Sequence, residues 1–272
     1  MATGWKVAMT LAITAVACSS QEQPGGGGGG GRVSITSDGG LDRAAVTPSG
    51  ASSLPSGCAA LKPSSALIAD FSDANDLAFG VYGVNSVFGQ TFADRYLIED
   101  FSALSWHITG LVHTAGARFG LEWFCSSGTG PTTGDCVLDV SAYAGIQFTI
   151  RGDAGPDHAV DLQLGQPADE AVITNPGCGA CFPSDACVNP QVTIDLGSGS
   201  SPMTVTLLWS NIAGGAPRAV LDGQLLSSFA WHLHDSPADS NVPVGGDPSV
   251  GVGAYAVDLT IDDIRFIPLG AR

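Results

Sequence analysis

Side chains that can bind hydroxyl-bearing ligands occupy the outward-facing positions of several predicted strands. They carry amide, guanidinium, carboxylate and imidazole groups: Gln147, Arg151, Asp161, Gln163, His232 and His234. Planar groups of this kind offer paired hydrogen-bond donors and acceptors, and a few such groups commonly orient a ligand in its site. If the strands are neighbours, these side chains form one polar row on the concave face of a sheet. The alternative is an ordinary solvated sheet face.

His232 and His234 allow a second interpretation, because residues two apart on a strand share one face. Two imidazoles followed by Asp235 and Asp239 are residue types that bind transition metals. No glutamate follows at the place where a metal site of this kind needs one, and the remaining histidines show no spacing that completes such a site: His107, His113 and His158. The sequence therefore favours a polar binding row over a catalytic metal.

Four aspartates form a second group, with Asp70 and Asp73 near the start of the predicted domain and Asp262 and Asp263 near its end. The first and last strands of a β-sandwich often pair, which would bring these carboxylates together. Because Ca²⁺ takes about six to eight oxygen ligands, the group predicts a structural calcium site. The alternative is that the aspartates cap exposed strand ends.

The cysteines divide into Cys18 and a set of six: Cys58, Cys125, Cys136, Cys178, Cys181 and Cys187. An even set in an exported domain predicts disulfides, because the cell envelope is oxidising. Cys125 and Cys136 flank a loop rich in Gly, Pro and Ser with strand-like residues on both sides, so we expect them to pair. The loop over residues 178–187 predicts one internal bridge, and its remaining cysteine is expected to reach Cys58. A redox or zinc site at Cys178 and Cys181 is the alternative, but no second ligand pair follows.

The N-terminal residues predict export and a lipid anchor. Lys6 precedes an apolar run over residues 7–17 that is too short to span a membrane. Cys18 closes the run, and the stretch 15–18 resembles the lipobox of bacterial lipoproteins, in which the cysteine is acylated. Ser19 after this cysteine resembles the default context for sorting to the outer membrane. Ordinary secretion with cleavage nearby is the alternative.

Residues 1–17 are thus expected to be a signal peptide, and residues 18–56 an acylated cysteine followed by a flexible tether. The tether segment is rich in Gly, Ser and Pro, and such a composition cannot bury enough apolar surface to offset its ordering entropy. The expected location is the cell envelope, anchored to the outer membrane and either periplasmic or surface-exposed.

Charge and motifs exclude several classes of function. Lys and Arg total 10 against 26 Asp and Glu, a net charge of −16, which argues against binding the phosphates of nucleic acid. Motifs of nucleophilic hydrolases, zinc peptidases and phosphate-binding loops do not occur. We therefore expect that the protein is not an enzyme. Glycosidases use a pair of carboxylates, and with so many acidic residues the sequence does not exclude that activity. Membrane contact is expected through the lipid anchor alone.

Stretches of alternating apolar and polar residues position the groups described above. They include residues 66–70, 117–124, 146–151, 160–164, 192–196, 203–209, 229–234 and 257–266. Alternation with period two predicts strands with one buried and one wet face, and the Gly, Pro, Asn, Asp and Ser between them predict turns. Residues 57–272 are expected to form one antiparallel jelly-roll β-sandwich, with Trp209, Phe229 and Trp231 in its core.

Several stretches resemble a known family. Residues 66–73 (ALIADFSD), 116–121 (GARFGL), 138–152 (LDVSAYAGIQFTIRG) and 257–266 (VDLTIDDIRF) are similar to galactose-binding-like jelly rolls of the family 11 carbohydrate-binding module type, which also occur in bacterial surface lipoproteins. The resemblance implies a jelly roll that binds polysaccharide on a concave sheet without hydrolysis. It also implies a structural calcium beside the first and last strands.

The expected function is therefore non-catalytic polysaccharide binding by an envelope lipoprotein. An aromatic side chain such as Tyr82, Tyr96 or Trp106 would stack on a sugar ring. The alternative is a structural or adhesion sandwich without a sugar site. An exposed aromatic side chain beside Gln163 and His232 would distinguish the two.

Overall fold

The structure is a computed structural model that describes residues 32–33, 59–63, 65–71, 81–84, 87–113, 116–126, 131–133, 136–171, 178–197, 201–217, 225–235 and 254–270. Cys18, Cys58 and Asp73 lie outside these residues, as does most of the predicted tether. No helix within the ranges just given is long and apolar enough to cross a membrane.

The described residues form strands and two short 3₁₀ turns, Ser184–Ala186 and Trp209–Asn211. The strands are β1 (Arg32–Val33), β2 (Ala59–Leu61), β3 (Leu67–Ala69), β4 (Val81–Val84), β5 (Val87–Ala93), β6 (Leu97–Asp100), β7 (Trp106–Val112), β8 (Ala117–Ser126), β9 (Pro131–Thr133), β10 (Cys136–Asp139), β11 (Tyr143–Asp153), β12 (Ala159–Gly165), β13 (Gln191–Asp195), β14 (Met203–Leu208), β15 (Leu225–Leu226), β16 (Ser228–Leu233) and β17 (Tyr255–Pro268).

Most strands belong to two large sheets. An eight-stranded sheet, here the front sheet, runs in the order β1-β13-β12-β16-β8-β5-β4, with β9 paired to β8. A six-stranded sheet, here the back sheet, runs in the order β14-β11-β17-β7-β6, with β3 paired to β17. Strands β15, β10 and β2 form a small third sheet. The described pairs are antiparallel except β1 with β13 and β2 with β10.

The chain crosses repeatedly between the two large sheets. β7 lies in the back sheet, β8 in the front sheet, β11 in the back sheet and β12 in the front sheet, and the chain crosses again through β14, β16 and β17. Repeated crossing between two packed antiparallel sheets is the connectivity of a jelly-roll sandwich. The predicted all-β jelly-roll sandwich is confirmed.

The inward faces of the two sheets meet in an aromatic core. Trp106 and Trp231, both 0% exposed, stand edge to face with ring centroids 5.8 Å apart, and the Phe148 ring lies 5.3 Å from Trp231. Each such pair contributes about 0.5–1.5 kcal/mol beyond burial of its area. Trp209 and Phe229 are buried with Trp231, as predicted. Trp106 is a core residue as well, so the suggestion that it stacks on a ligand is wrong.

A β-bulge lies in β17 among the predicted calcium ligands. Between the pair Thr149–Asp262 and the next pair toward the end of the chain, β17 contains one more residue than β11. Asp263 takes a positive φ of 55° there, and Ile264 is buried. The extra residue lets both aspartates stay outside the core while the apolar positions beyond them return to it.

Strand β1 comes from the segment predicted to be a tether. Its backbone pairs in parallel with the edge strand β13, Arg32 opposite Thr193 and Val33 opposite Ile194. A two-residue strand at this position gives the front sheet a short outer edge, which limits pairing with other chains.

Candidate functional site

The structure divides the predicted polar row between two sheets. Gln147 and Arg151 lie on β11 in the back sheet, whereas β12 and β16 of the front sheet carry the other predicted residues. Gln147 donates from Nε2 to Thr206 Oγ1 at 3.0 Å on its own sheet. The expectation of one row is wrong because a period of two tells which way a side chain faces but not which strands pair.

Four of the predicted residues do lie together, on the outward side of β13, β12, β16 and β8, here called the ladder face. Cross-strand register places Thr193 opposite Asp161, Asp161 opposite His232, and His232 opposite Arg118. Side chains directly opposite one another in a sheet have Cβ atoms about 4.5–5.5 Å apart. These residues therefore form one continuous rung across four strands.

Hydrogen bonds order this part of the ladder face. Asp161 accepts from Thr193 Oγ1 at 2.6 Å and from Gln191 Nε2 at 3.4 Å, and its Oδ2 lies 3.3 Å from His234 Nε2. Gln163 donates from Nε2 to Gln191 Oε1 at 3.1 Å. With only 7% of its surface exposed, Asp161 holds the neighbouring side chains in place and is a positioning residue.

The two histidines of the ladder face have pKa values shifted in opposite directions. The hydrogen bond to Asp161 raises the pKa of His234, and Asp157 adds to this effect. Burial lowers the pKa of His232, and the Asp161 charge offsets only part of that effect. Burial by itself would raise the pKa of Asp161, but hydrogen bonds from His234 and Thr193 outweigh it and leave that pKa below its usual range.

A strip of small residues runs beside this row. Gln163 stands opposite Ala230, Ala230 opposite Gly120, and Gly120 opposite Phe92 on β5. The Phe92 ring covers Gly120 so closely that a Cβ at that glycine would lie 2.7 Å from ring atom Cζ. Phe92 lies on the third strand from Gln163, about 14 Å away by strand spacing, and its half-buried ring reaches back over Gly120 at about 10 Å.

Sequence reasoning missed Phe92 and named three other aromatic residues. The Tyr82 side chain lies outside the described residues, and Trp106 is in the core. Tyr96 packs against His113, with ring centroids 4.4 Å apart, and lies under the Arg95 guanidinium. Gly120 inside a strand was the signal that could have revealed Phe92, because an interior strand glycine often marks a close approach by another group.

The next rung of the ladder face is acidic. Gly165 stands opposite Ser228, and Ser228 opposite Glu122. Glu170, from the turn that follows β12, brings Oε1 within 3.4 Å of Ser228 Oγ. Burial raises the pKa of Glu122, and the charge of Glu170 raises it further.

Arg151 lines a groove on the back sheet instead. The groove has a volume of about 580 Å³ and also contains His107, Asp153, His158 and Asp258. His107 Nε2 lies 2.8 Å from Asp258 Oδ1, and His158 Nδ1 lies 3.8 Å from Asp153 Oδ1. Arg151 is therefore on the opposite side of the sandwich from Gln163 and His232.

No metal site is formed by the histidine pair with other described residues, and Asp239 lies outside them. The rings of His232 and His234 lie 6.3 Å apart, and both ring nitrogens of His234 contact carboxylates, Nδ1 of Asp157 and Nε2 of Asp161, each at 3.3 Å. No cluster of three or more His, Cys, Asp or Glu with metal-binding geometry occurs in the described part of the chain.

The predicted calcium ligands are brought together in part. β3 pairs with β17, and the pKa of Asp262 is raised first by burial and then by the nearby charge of Asp70. Asp263 instead contacts the Arg265 guanidinium. The described residues thus bring the carboxylates of Asp70 and Asp262 near each other, while Asp73 lies outside them. Calcium binding here stays a prediction.

One predicted disulfide is present in the described loop. Cys181 and Cys187 are joined with Cα atoms 5.8 Å apart, which confirms the internal bridge and contradicts a redox or zinc pair made by Cys178 and Cys181. Cys178 is also disulfide-bonded. The side chains of Cys125 and Cys136 lie outside the described residues, so their pairing stays a prediction.

Comparison with known proteins gives structural similarity at low sequence identity. The family 11 carbohydrate-binding module of the cellulosomal cellulase Lic26A-Cel5E of Clostridium thermocellum is 14% identical and has a TM-score of 0.40, covering 76% of this chain and 95% of that one. A family 11 module from the same organism in complex with a β-1,3-1,4-mixed-linked tetrasaccharide is 14% identical with a TM-score of 0.40, covering 74% and 94%.

The agarase AgWH50C is also similar, at 10% identity and a TM-score of 0.41, covering 74% of this chain and 26% of that one. No protein-family model matches the chain, and no curated protein sequence matches it. The family that the sequence resembles therefore recurs among similar structures. Similarity at this level does not identify a ligand for this chain.

Proposed function

We propose that this chain binds a polysaccharide on its ladder face without cleaving it. The observation that carries the proposal is the hydrogen-bonded row from Gln163 through Asp161 to His234, which lies beside a strip of small residues that ends at Phe92. Groups already held by neighbours lose little conformational freedom when a ligand binds, and this favours binding.

The small residues give a ligand access to the row. Ala230 stands next to Gln163, and the Phe92 ring fills the space above the following residue, Gly120, so a flat sugar ring can lie close to the sheet over Ala230. Gln163 and His232 then face its hydroxyl groups, and the Phe92 ring offers an apolar surface for the C–H face of the next sugar. The exposed Arg118 at the end of the first rung adds further donors.

Affinity for one sugar is expected to be weak. An open sheet face buries few ligand atoms, and water competes for most of its hydrogen bonds. A polymer contacts several rungs at once, so binding should strengthen with chain length. This dependence on length distinguishes a polysaccharide site from a pocket for a single sugar.

The test begins with a glycan array that includes a β-1,3-1,4-mixed-linked tetrasaccharide. Retention on the preferred glycan is then measured for Gln163→Ala and His232→Ala, and we expect each to weaken binding at least tenfold. Gln147→Ala is the matched control, because it removes the same side chain from a strand of the opposite sheet. It should bind like the wild type.

Thermal unfolding decides whether a loss of binding is local. Neither Gln163 nor His232 is fully buried, so a melting temperature within a few degrees of the wild type is expected. Unchanged retention by both variants contradicts a site on the ladder face. A blank array with a folded chain favours the alternative, a structural or adhesion sandwich without a sugar site.

We also propose that the domain acts as a lipoprotein of the cell envelope, attached through acylated Cys18 and otherwise free of the membrane. The support is the apolar run over residues 7–17 and the small residues before Cys18. A polysaccharide of the envelope or its surroundings is within reach of a domain held in this way.

A further inference from the structure

Oxygen atoms from several side chains converge at the acidic end of the ladder face, above Gly165. A Cβ atom at this glycine would lie 2.2 Å from Ser228 Oγ, 2.4 Å from Glu170 Oε1 and 2.6 Å from Ser227 Oγ. Glu122 stands opposite Ser228 on the next strand. Only a glycine fits at position 165, because these oxygens fill the space that any side chain would need.

The backbone holds Glu170 at this position. The Glu170 N–H donates to Gln166 O at 3.0 Å, which closes the turn after β12, and its carbonyl accepts from Cys181 N at 3.0 Å. Cys181 is in turn bonded to Cys187. The turn that carries this carboxylate is thus hydrogen-bonded to a cross-linked loop.

Ser227 provides a separate observation that points to a ligand. The residue is only 5% exposed, and its Oγ is buried with no hydrogen-bond partner. Buried hydroxyl groups are almost always partnered by protein, water or a bound ligand. Ser227 Oγ, Glu170 Oε1 and Ser228 Oγ all lie within 2.6 Å of one point above Gly165, so the missing partner of Ser227 belongs beside this group of oxygens.

We propose that Glu122, Glu170, Ser227 and Ser228 form a binding site for a hard divalent cation, for which Ca²⁺ is the probe. Carboxylate and hydroxyl oxygens are the ligands such ions prefer, and Ca²⁺ accepts irregular sets of them completed by water. The ion lies outward of the space above Gly165, since that space is too close to the backbone. The set consists of two carboxylates and two hydroxyls. It is therefore a different kind of site from the clusters of three or more His, Cys, Asp or Glu, of which the described residues form none.

This site is separate from the aspartates of β17. Glu122 and Ser228 belong to strands of the front sheet, whereas Asp262 lies in the back sheet. It also does not depend on the proposed function, since the ligands named here bind the ion whether or not a polysaccharide occupies the ladder face.

The test is a calorimetric titration of the full chain with Ca²⁺, alongside Glu122→Gln, Glu170→Gln and Asp262→Asn. Both glutamine variants keep the shape of the side chain and remove one charge. We expect the wild type to bind Ca²⁺, and each glutamine variant to lose one binding event or weaken it at least tenfold. Asp262→Asn is the matched control and should keep that event.

Thermal unfolding separates loss of binding from loss of folding. In EDTA, Glu122→Gln and Glu170→Gln should melt at or above the wild-type temperature, because each removes repulsion between the two carboxylates. Added Ca²⁺ should raise the melting temperature of the wild type by more than that of Glu170→Gln. The proposal is overturned if the wild type binds no Ca²⁺, or if Glu170→Gln binds and is stabilised like the wild type.

Discussion

At the scale of single residues, the ladder face combines groups with different roles. Asp161 was predicted to contact a ligand, but it is almost fully buried and accepts hydrogen bonds from its neighbours. Gln163 and His232 are more accessible and are the groups proposed to meet a ligand. An acidic residue at the centre of such a row fixes the amide and imidazole orientations, which makes recognition by those groups specific.

His234 should make the stability of the fold depend on pH. Its pKa is raised in the folded chain by Asp161 and Asp157, above the value of about 6.5 expected in the unfolded chain. Its contribution is therefore complete below that value and is lost as the pH rises through the raised pKa. We expect His234→Gln to lower the free energy of unfolding by about 1 kcal/mol near pH 5.5, and by less near pH 9.

Urea unfolding of the wild type and the variant across this pH range measures the difference. The same measurement on a variant of His232 is the informative control, because burial lowers the pKa of this histidine. A folded-state pKa below the unfolded value means that the neutral His232 stabilises the fold at higher pH, and that its contribution is lost as the pH falls. A deficit of His234→Gln that stays constant from acid to alkaline pH would contradict the ion pairing described above.

At the scale of strands, the sequence predicts which face of a strand is buried better than it predicts which strands pair. Alternation located strands within β8, β11, β12, β13, β14, β16 and β17, and it identified most of their core residues. On β12 it failed for Asp161, which was predicted to face solvent and is buried. It did not show that β11 and β12, joined by a short connection, lie in different sheets. Pairing in a jelly roll is between distant segments, so local periodicity holds no information about it.

The same limit explains what was missed in the candidate site. Phe92 acquires its place only through the pairing of β5 with β8, which sets it opposite Gly120. Glu170 meets Glu122 only because the turn after β12 folds back over the sheet. Gly120 indicates a close approach but not which residue makes it, and no spacing in the sequence connects Glu170 with Glu122.

The cross-linked loop after β12 supports an experiment at this scale. Replacing both Cys181 and Cys187 with Ser should lower the free energy of unfolding by about 2 kcal/mol, because a short closed loop no longer restricts the unfolded chain. Non-reducing peptide mapping of the wild type shows the bridge directly, and the same map tests the predicted bond between Cys125 and Cys136. Unchanged stability in the double variant would mean that the bridge does not restrict the unfolded chain.

At the scale of the whole molecule, the sandwich presents two outward faces with different chemistry. The front sheet carries the ladder face and its acidic end, and the back sheet carries the groove with Arg151 and His107. The net charge of −16 repels polyanions. The expected ligand is therefore a neutral polysaccharide rather than a strongly acidic one.

The predicted tether determines how far such a face reaches from a membrane. Because β1 is paired with β13, about 13 residues separate Cys18 from the front sheet, and a flexible coil of that length has a root-mean-square span of roughly 20 Å. In the proposed arrangement this is the distance between the domain and the bilayer. The arrangement depends on Cys18, which lies outside the described residues.

Replacing Cys18 with Ala should move the protein from the membrane fraction to the soluble fraction. The reason is that acyl chains provide the predicted attachment, and a chain without them retains no comparable apolar segment after cleavage. Detergent phase partition measures the shift, and mass spectrometry of the mature N-terminus identifies the acyl groups. Ser19→Ala is the matched control, since it alters the neighbouring residue, keeps the cysteine and should stay in the detergent phase. If the Cys18→Ala protein also stays there, the lipid anchor is wrong and the domain is held at the membrane by another contact.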